Sequence, residues 1–317
     1  MSLNQSKKGV SALIVIVGFV ALIIVIIELI PYFAIIDGYF STAPKLNYTQ
    51  GVAVSFINVP ASESPSSIFA LSMQVTSNNR GAPASNVNLC LDNIGLFTLK
   101  STSPCINIPT MFAGDSIPET FYLESPSNSE YANIPYEQQI GYYLNYSYSA
   151  SSSQSLQFVS QQEYNSGSYS SLPLSLASFG TGGPISIFMS AQQPIIYGST
   201  GQVQLILSNV GDGIVLGPVS VAISMNSNSI EVSPGLFGFT SNKYSNGTVV
   251  YSGNLPVGST TENITIPVIL NPTLESSLLS ENTPYISPAN IYVSISYSYE
   301  IDGFVPIRFN VQNYFIG

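Results

Sequence analysis

Cys90 and Cys105 are the only thiols in a chain of 317 residues that contains no histidine. These two facts bound the chemistry before any fold is considered. Without imidazole neither a Ser/His/Asp nor a Cys/His arrangement can form, and the commonest general base is missing. Two cysteines with no histidine leave tetrahedral zinc coordination incomplete. The carboxylates Asp92, Asp115, Glu119, Glu163, Asp212, Glu262, Glu300 and Asp302 are scattered over turns and strand ends, where such groups meet water or shape the turn. Gly180-Thr181-Gly182-Gly183 lacks the Lys-Ser/Thr of a phosphate loop, and Gly211-Asp212-Gly213 lacks the Asp ladder of a calcium loop. No catalytic residue, cofactor or metal is expected, and the chain does not read as an enzyme. Beyond residue 37 the only cations are Lys45, Arg80, Lys100, Lys243 and Arg308. They form no patch, which argues against nucleic-acid binding.

The chemistry that does fit is covalent decoration and cross-linking of an exported chain. An even cysteine count outside the cell suggests a Cys90–Cys105 disulfide, worth ~3 kcal/mol for a loop of about 15 residues in the chain-entropy model. Alternation places both on one outer face, and two free buried thiols are the alternative. Glycosylation sequons occur at Asn47, Asn145, Asn246 and Asn263. Asn47 falls in a stalk and Asn246 in a loop, whereas Asn145 sits in a strand and reads equally well as a plain surface residue. Tyr142, Tyr143, Tyr146 and Tyr148 crowd one segment, mirrored by Tyr297 and Tyr299. The mirrored tyrosines are expected to pack in the core, and Tyr142 and Tyr143 are the better candidates for partner contact.

The element that must deliver this chemistry is N-terminal. Lys7 and Lys8 precede a run from Val10 to Ile27 without a charged residue. At ~1.5 Å per helical residue, residues 10–36 can cross the ~30 Å hydrocarbon core. The positive leader 1–9 stays inside and the rest goes out, giving a single-pass protein with extracellular C-terminal domains. Glu28 falls near the outer headgroups, Pro31 ends or kinks the helix, and Tyr32, Phe33, Tyr39 and Phe40 serve as interfacial anchors. Lys7-Lys8-Gly9-Val10-Ser11 resembles the leader of archaeal type IV pilins. That resemblance implies cleavage between Gly9 and Val10, with the apolar helix kept on the mature chain.

The remainder has a period of two. Phe69, Leu71, Met73 and Val75 alternate with polar or small residues, as do Val87–Leu91, Val203–Leu207 and Val219–Met225. That pattern predicts half-buried strands, an all-β class and no comparable helical stripe beyond the membrane segment. The pattern also repeats. Asn79-Arg80-Gly81, Tyr146-Ser147-Tyr148 and Phe158 in the first copy return as Asn209-Val210-Gly211, Tyr297-Ser298-Tyr299 and Phe309 in the second. Tyr146 to Phe158 and Tyr297 to Phe309 have the same separation and each pair is expected to straddle a terminal hairpin, with Asp302-Gly303 as the tight turn in the second copy. The organisation expected is a stalk over 37–50, β-sandwiches over 51–165 and 185–317, and a Ser/Gly/Pro-rich linker over 166–184.

Asn-x-Gly after an apolar strand, Val257-Gly258-Ser259-Thr260 leading into an alternating strand, and the late Ser-Tyr-Ser-Tyr strand resemble immunoglobulin-like domains of archaeal S-layer-type and CARDB-like surface proteins. The resemblance implies two tandem immunoglobulin-like β-sandwiches and a structural or adhesive role on an archaeal envelope. Its partners would be the lipid membrane and other surface proteins. A self-assembling pilin-like filament and an archaeal virus spike are the alternatives. Charged residues are 8% of the chain against a usual ~25%, and the formal charge is −10 at neutral pH. Such a surface suits a medium acid enough to protonate carboxylates. The folded state is therefore expected to survive at pH 2. A circular-dichroism melt showing it unfolded there but folded at pH 7 would remove that expectation.

Overall fold

A computed structural model describes residues 51–60, 63–79, 81–127, 136–171, 179–233, 235–236, 238–257 and 261–309. The expected leader, membrane helix and stalk, with Gly9, Val10 and Asn47, lie outside the described residues. Among the described residues no helix is long and apolar enough to cross a membrane. The described residues fall within one compact unit.

The alternating segments become strands, and the described residues are mostly β. The first half carries β1 (Val52–Asn58), β2 (Ile68–Ser77), β3 (Ala84–Leu91), β4 (Thr98–Leu99), β5 (Cys105–Met111), β6 (Ser116–Glu124) and β7 (Tyr136–Val159). Between the halves lie α1 (Gln161–Ser166), a 3-10 turn (Ser168–Ser171) and β8 (Phe179–Gly180). The second half has β9 (Ile185–Ala191), β10 (Ile195–Ile196), β11 (Gly201–Asn209), β12 (Ile214–Asn226), β13 (Ile230–Val232), β14 (Thr240–Lys243), β15 (Thr248–Leu255), β16 (Glu262–Leu270), α2 (Pro272–Ser280) and β17 (Tyr285–Phe309). The helix α2 falls where only strands are expected. Asn271 caps it by accepting from the N–H groups of Thr273 and Leu274, and Pro272 opens its first turn.

The repeat is visible in the topology. One four-stranded sheet has the order β1-β2-β6-β4, and a second has the corresponding order β9-β11-β16-β13. The expected strand faces are correct: Phe69, Leu71, Met73 and Val75 are buried on β2, and Val203, Leu205 and Leu207 on β11. The remaining long strands join one nine-stranded sheet whose main path is β14-β15-β12-β17-β7-β3-β5. Its two central members, β7 and β17, belong to different halves. They pair antiparallel from Tyr285↔Val159 to Phe309↔Tyr136 with one irregularity between Ile286 and Ala289. The two copies therefore share a sheet and a single hydrophobic core, and part of segment 166–184 is itself a strand on β7.

The expected hairpin at Asp302-Gly303 is absent. Both residues lie inside β17, opposite Tyr143 and Tyr142. Each long strand finds its neighbour in the other half, so neither needs to fold back on itself. Gly303 is there for space: a Cβ at that position would strike the Tyr142 hydroxyl and ring.

At the joint, Ser147 faces Ser298 on a local pseudo-two-fold, flanked by the cross-strand pairs Tyr146↔Tyr299 and Tyr148↔Tyr297. All four tyrosines point into the core and are buried. Tyr146 and Tyr299 lie 5.7 Å apart between ring centres, and Tyr148 and Tyr297 lie 5.9 Å apart. Each hydroxyl is committed to backbone or amide. Tyr146 accepts from Val52 N at 3.2 Å and Tyr297 from Ile185 N at 3.1 Å, so each ties down the first strand of its own half. Tyr148 donates to Gly182 O, while Tyr299 donates to Asn209 Oδ1 at 2.9 Å and accepts from Gly213 N at 2.8 Å. Gly51 and Gly211 are required here, because a Cβ on either would meet a tyrosine hydroxyl and the ring of Pro184.

Burial pushes the Tyr148 phenol up to about 12 and holds Tyr146 and Tyr297 higher still; Tyr299 is also raised, by desolvation first. The folded state thus binds these protons more tightly than an unfolded chain, whose tyrosines titrate at ~10. Stability is full below pH ~10 and is lost as pH rises through about 12. Denaturant unfolding at pH 8 and pH 11, followed with phenolate absorbance, should show delayed ionisation and a lower midpoint at pH 11. Tyr297→Phe should cost ~1–3 kcal/mol at pH 7, because it strands the buried Ile185 N–H; an unchanged midpoint would show the bond to be dispensable.

Candidate functional site: the outer face of the shared sheet

Alternation that sends tyrosines inward on β7 and β17 sends serines outward. β7 presents Ser147, Ser149, Ser151, Ser153 and Ser155, and β17 presents Ser294, Ser296 and Ser298. Register lines these up across strands: Ser220, Ser296 and Ser149 form one row, and Ser252, Ala222, Ser294 and Ser151 form the next. Ser149, Ser151, Ser220, Ser252, Ser294 and Ser296 are all exposed. Serine is a poor strand former, so the ladder and the inward side chains hold it there. Shallow depressions run along this face, lined by these serines with Thr240, Asn254, Pro83 and Pro218. No Lys, Arg, Asp or Glu lines any of them.

The face changes character toward the first half. Asn107 Nδ2 donates to Asn88 Oδ1 at 2.6 Å, and Asn88 Nδ2 donates to Asn145 Oδ1 at 3.1 Å, an amide ladder over β5, β3 and β7. Beyond it Cys90 pairs with Cys105 across β3 and β5, and the disulfide is formed with a Cα–Cα distance of 4.0 Å. Tyr143 lies beside it, its hydroxyl 4.0 Å from Cys105 Sγ.

The residues singled out from sequence are thus dispersed. Tyr143 lies on the outer face with the disulfide. Tyr142 turns inward, its ring edge-on to Phe56 at 5.6 Å, and its phenol is raised by desolvation and then by Asp302. That makes Tyr142 a packing residue. Asn145 is half-buried and its amide is engaged in the ladder. Asn246 is exposed in the β14–β15 turn, where its Oδ1 accepts from Thr248 N at 3.0 Å and Gly247 takes a φ of 82°. Asn263 is exposed on β16, across from Ile206. The serine grid went unread in the sequence, although Ser-x-Ser-x-Ser at period two was the available signal. Among the described residues no group of three or more His, Cys, Asp or Glu is placed to hold a metal.

No protein-family model matches the chain, and no curated protein matches it. Solved structures of weak overall similarity include the following two. The C-terminal globular domain of an oligosaccharyltransferase from Pyrococcus abyssi is 12% identical, over 83% of this chain and 50% of that one, with a TM-score of 0.24. The chain thus aligns to about half of that domain's length. A protein of unknown function from Porphyromonas gingivalis is 10% identical over 82% and 99% of the two chains, with a TM-score of 0.20. Neither likeness is close enough to carry a functional argument.

The disulfide ties edge strand β5 to β3 at the margin of this face. Replacing both cysteines by serine should lower stability by ~3 kcal/mol for the 15-residue separation, read as a shift of the denaturation midpoint. A shift below about 0.5 kcal/mol would mean that the β3–β5 ladder holds the strand unaided.

Proposed function

We propose that the chain is a membrane-anchored extracellular structural or adhesion protein of an archaeal envelope. In this reading residues 10–36 hold it in the bilayer, and its two immunoglobulin-like β-sandwiches, fused along β7 and β17, assemble with neighbouring surface proteins. The observation that carries the reading is the uncharged hydroxyl face spread over β15, β12, β17 and β7. Neutral hydroxyls cost far less to bury than charges and can be satisfied by a partner's backbone or amides, whereas charges need matched partners. At pH 7, where the formal net charge is −10, two such chains repel, and a neutral face gives close approach its lowest electrostatic cost. The disulfide suits an oxidising exterior.

Two experiments test this. Native protein from separated membrane and sheared-filament fractions is mapped by N-terminal peptide mass. Intact residues 1–9 in the membrane fraction support the anchor, whereas a mature start at Val10 in filaments would replace it with a pilin-like subunit, and recovery only in purified virus particles would make it a spike. A Ser149→Arg/Ser296→Arg variant is then compared for co-fractionation with the envelope. It should melt like the parent and be released from the envelope assembly. Unchanged retention would remove the face from the assembly.

A further inference from the structure

A second recess, away from the serine grid, has the chemistry of a ligand pocket. Its volume is about 330 Å³, and Tyr164 of α1 faces the β10–β11 segment across it. That volume lies at the lower end of the ~300–1,000 Å³ typical of small-molecule sites. Pro194, Ile195 and Ile196 supply its apolar part, and Gln192, Thr200 and Gln202 supply amides and a hydroxyl.

The walls are fixed by bonds that do not use the recess. Ser160 caps α1 by accepting from Glu163 N at 3.1 Å, and Gly167 ends the helix in the left-handed conformation with its N–H on Tyr164 O. Tyr164 is 40% exposed, and its ring stacks on Tyr169 at 5.3 Å with only 4° between planes. The two rings form a parallel stacked pair, with Tyr164 on the recess. On the opposite wall β10 pairs with β7, and Ser199 Oγ donates to Ile196 O at 2.6 Å. Gln193 is spent on structure: its Oε1 accepts from Gln157 N at 3.1 Å and its Nε2 donates to Ser155 O at 3.0 Å. Its neighbour Gln192, with Thr200 and Gln202, makes no side-chain hydrogen bond within the described residues and is exposed.

We infer that this recess binds a neutral saccharide, with a pyranose ring laid on Tyr164 and its hydroxyls bonded by Gln192, Thr200 and Gln202. The lining carries no charged group, which disfavours phosphates, nucleotides and metal ions. Glu163 precedes Tyr164 in the chain and the Glu275 carboxylate sits beside Gly198, but neither lines the recess. An aromatic face matches the C–H face of a sugar, and amides donate and accept as a vicinal diol requires. The inference does not depend on the serine face, so the protein can be adhesive through glycans whatever its neighbours are.

The test is titration of the full chain in detergent with neutral oligosaccharides built from glucose, galactose and mannose, read by calorimetry and by tyrosine fluorescence. At least one should saturate at millimolar or lower concentration. Tyr164→Ala and Gln192→Ala/Gln202→Ala should each weaken it tenfold or more without moving the melting temperature. Ser149→Arg, on the distant face, should leave it unchanged. Absence of saturation by every neutral sugar overturns the inference, as does binding that survives both pocket variants, or tighter binding of a neutral peptide than of any sugar. If Tyr164→Ala destabilises the fold, the double glutamine variant decides.

Discussion

The tyrosine-lined pairing of β7 with β17 is the constraint on which the remaining structure depends. An ordinary tandem repeat would leave each late strand with a free edge, and free edges recruit other chains. Here each late strand closes against its counterpart, and the pair runs nearly the full length of both. Tyr146 and Tyr297 then reach back to hold the first strand of each half. One cluster of four rings therefore fixes the joint between the halves and the entry of the chain into each. Pro184 packs between them, accepting from Val210 N and Gly211 N at 2.8 and 3.2 Å.

The halves are related and not identical, and the difference sits at this joint. Tyr299 donates to Asn209, the amide that begins the Asn-Val-Gly turn. The corresponding Tyr148 donates to Gly182 in the chain between the halves, and Asn79, buried in the corresponding turn, has an Oδ1 without a hydrogen-bond partner among the described residues. The same residue types thus serve a turn in one half and the crossing between halves in the other. A long, singly paired joint also explains how so little charge suffices. Cohesion comes from apolar burial, backbone ladders and tyrosine hydroxyls, and the ion pairs Lys100–Glu124 and Arg308–Glu137 are both partly exposed, where such pairs contribute little.

Strand positions were legible because alternation survives in the residues themselves: Phe69 to Val75 and Val219 to Met225 are inward on odd numbers without exception. The disulfide was legible for a similar reason, since Cys90 and Cys105 lie on strands close in sequence, separated only by the two-residue β4 and its flanking turns. The Asp302-Gly303 turn was misread because Asp-Gly is a turn signal only when the flanking strands pair with each other. Their partners were instead far upstream in the other half, at Tyr143 and Tyr142. Alternation alone already puts Tyr142 on the face of Leu144, Tyr146 and Tyr148; what it could not show is that Phe56 and Gly303 close over that ring, since their strands lie far off in sequence. The serine face and the Tyr164 recess share that origin. Serines at period two look like surface wherever they fall, and Tyr164 and Gln202 are brought together only by the turn of α1 and the return of β11.

The sequence by itself determined the class of structure, the strand faces, the internal repeat and the capacity for one cross-link, because these follow from local alternation, turn residues and the cysteine count. Tertiary structure decided how the two copies meet and which neutral side chains gather into a face or a recess. Those outcomes depend on register between strands far apart in sequence. A one-residue change in pairing would exchange tyrosines for serines on the buried side, and nothing in either strand alone specifies its distant partner.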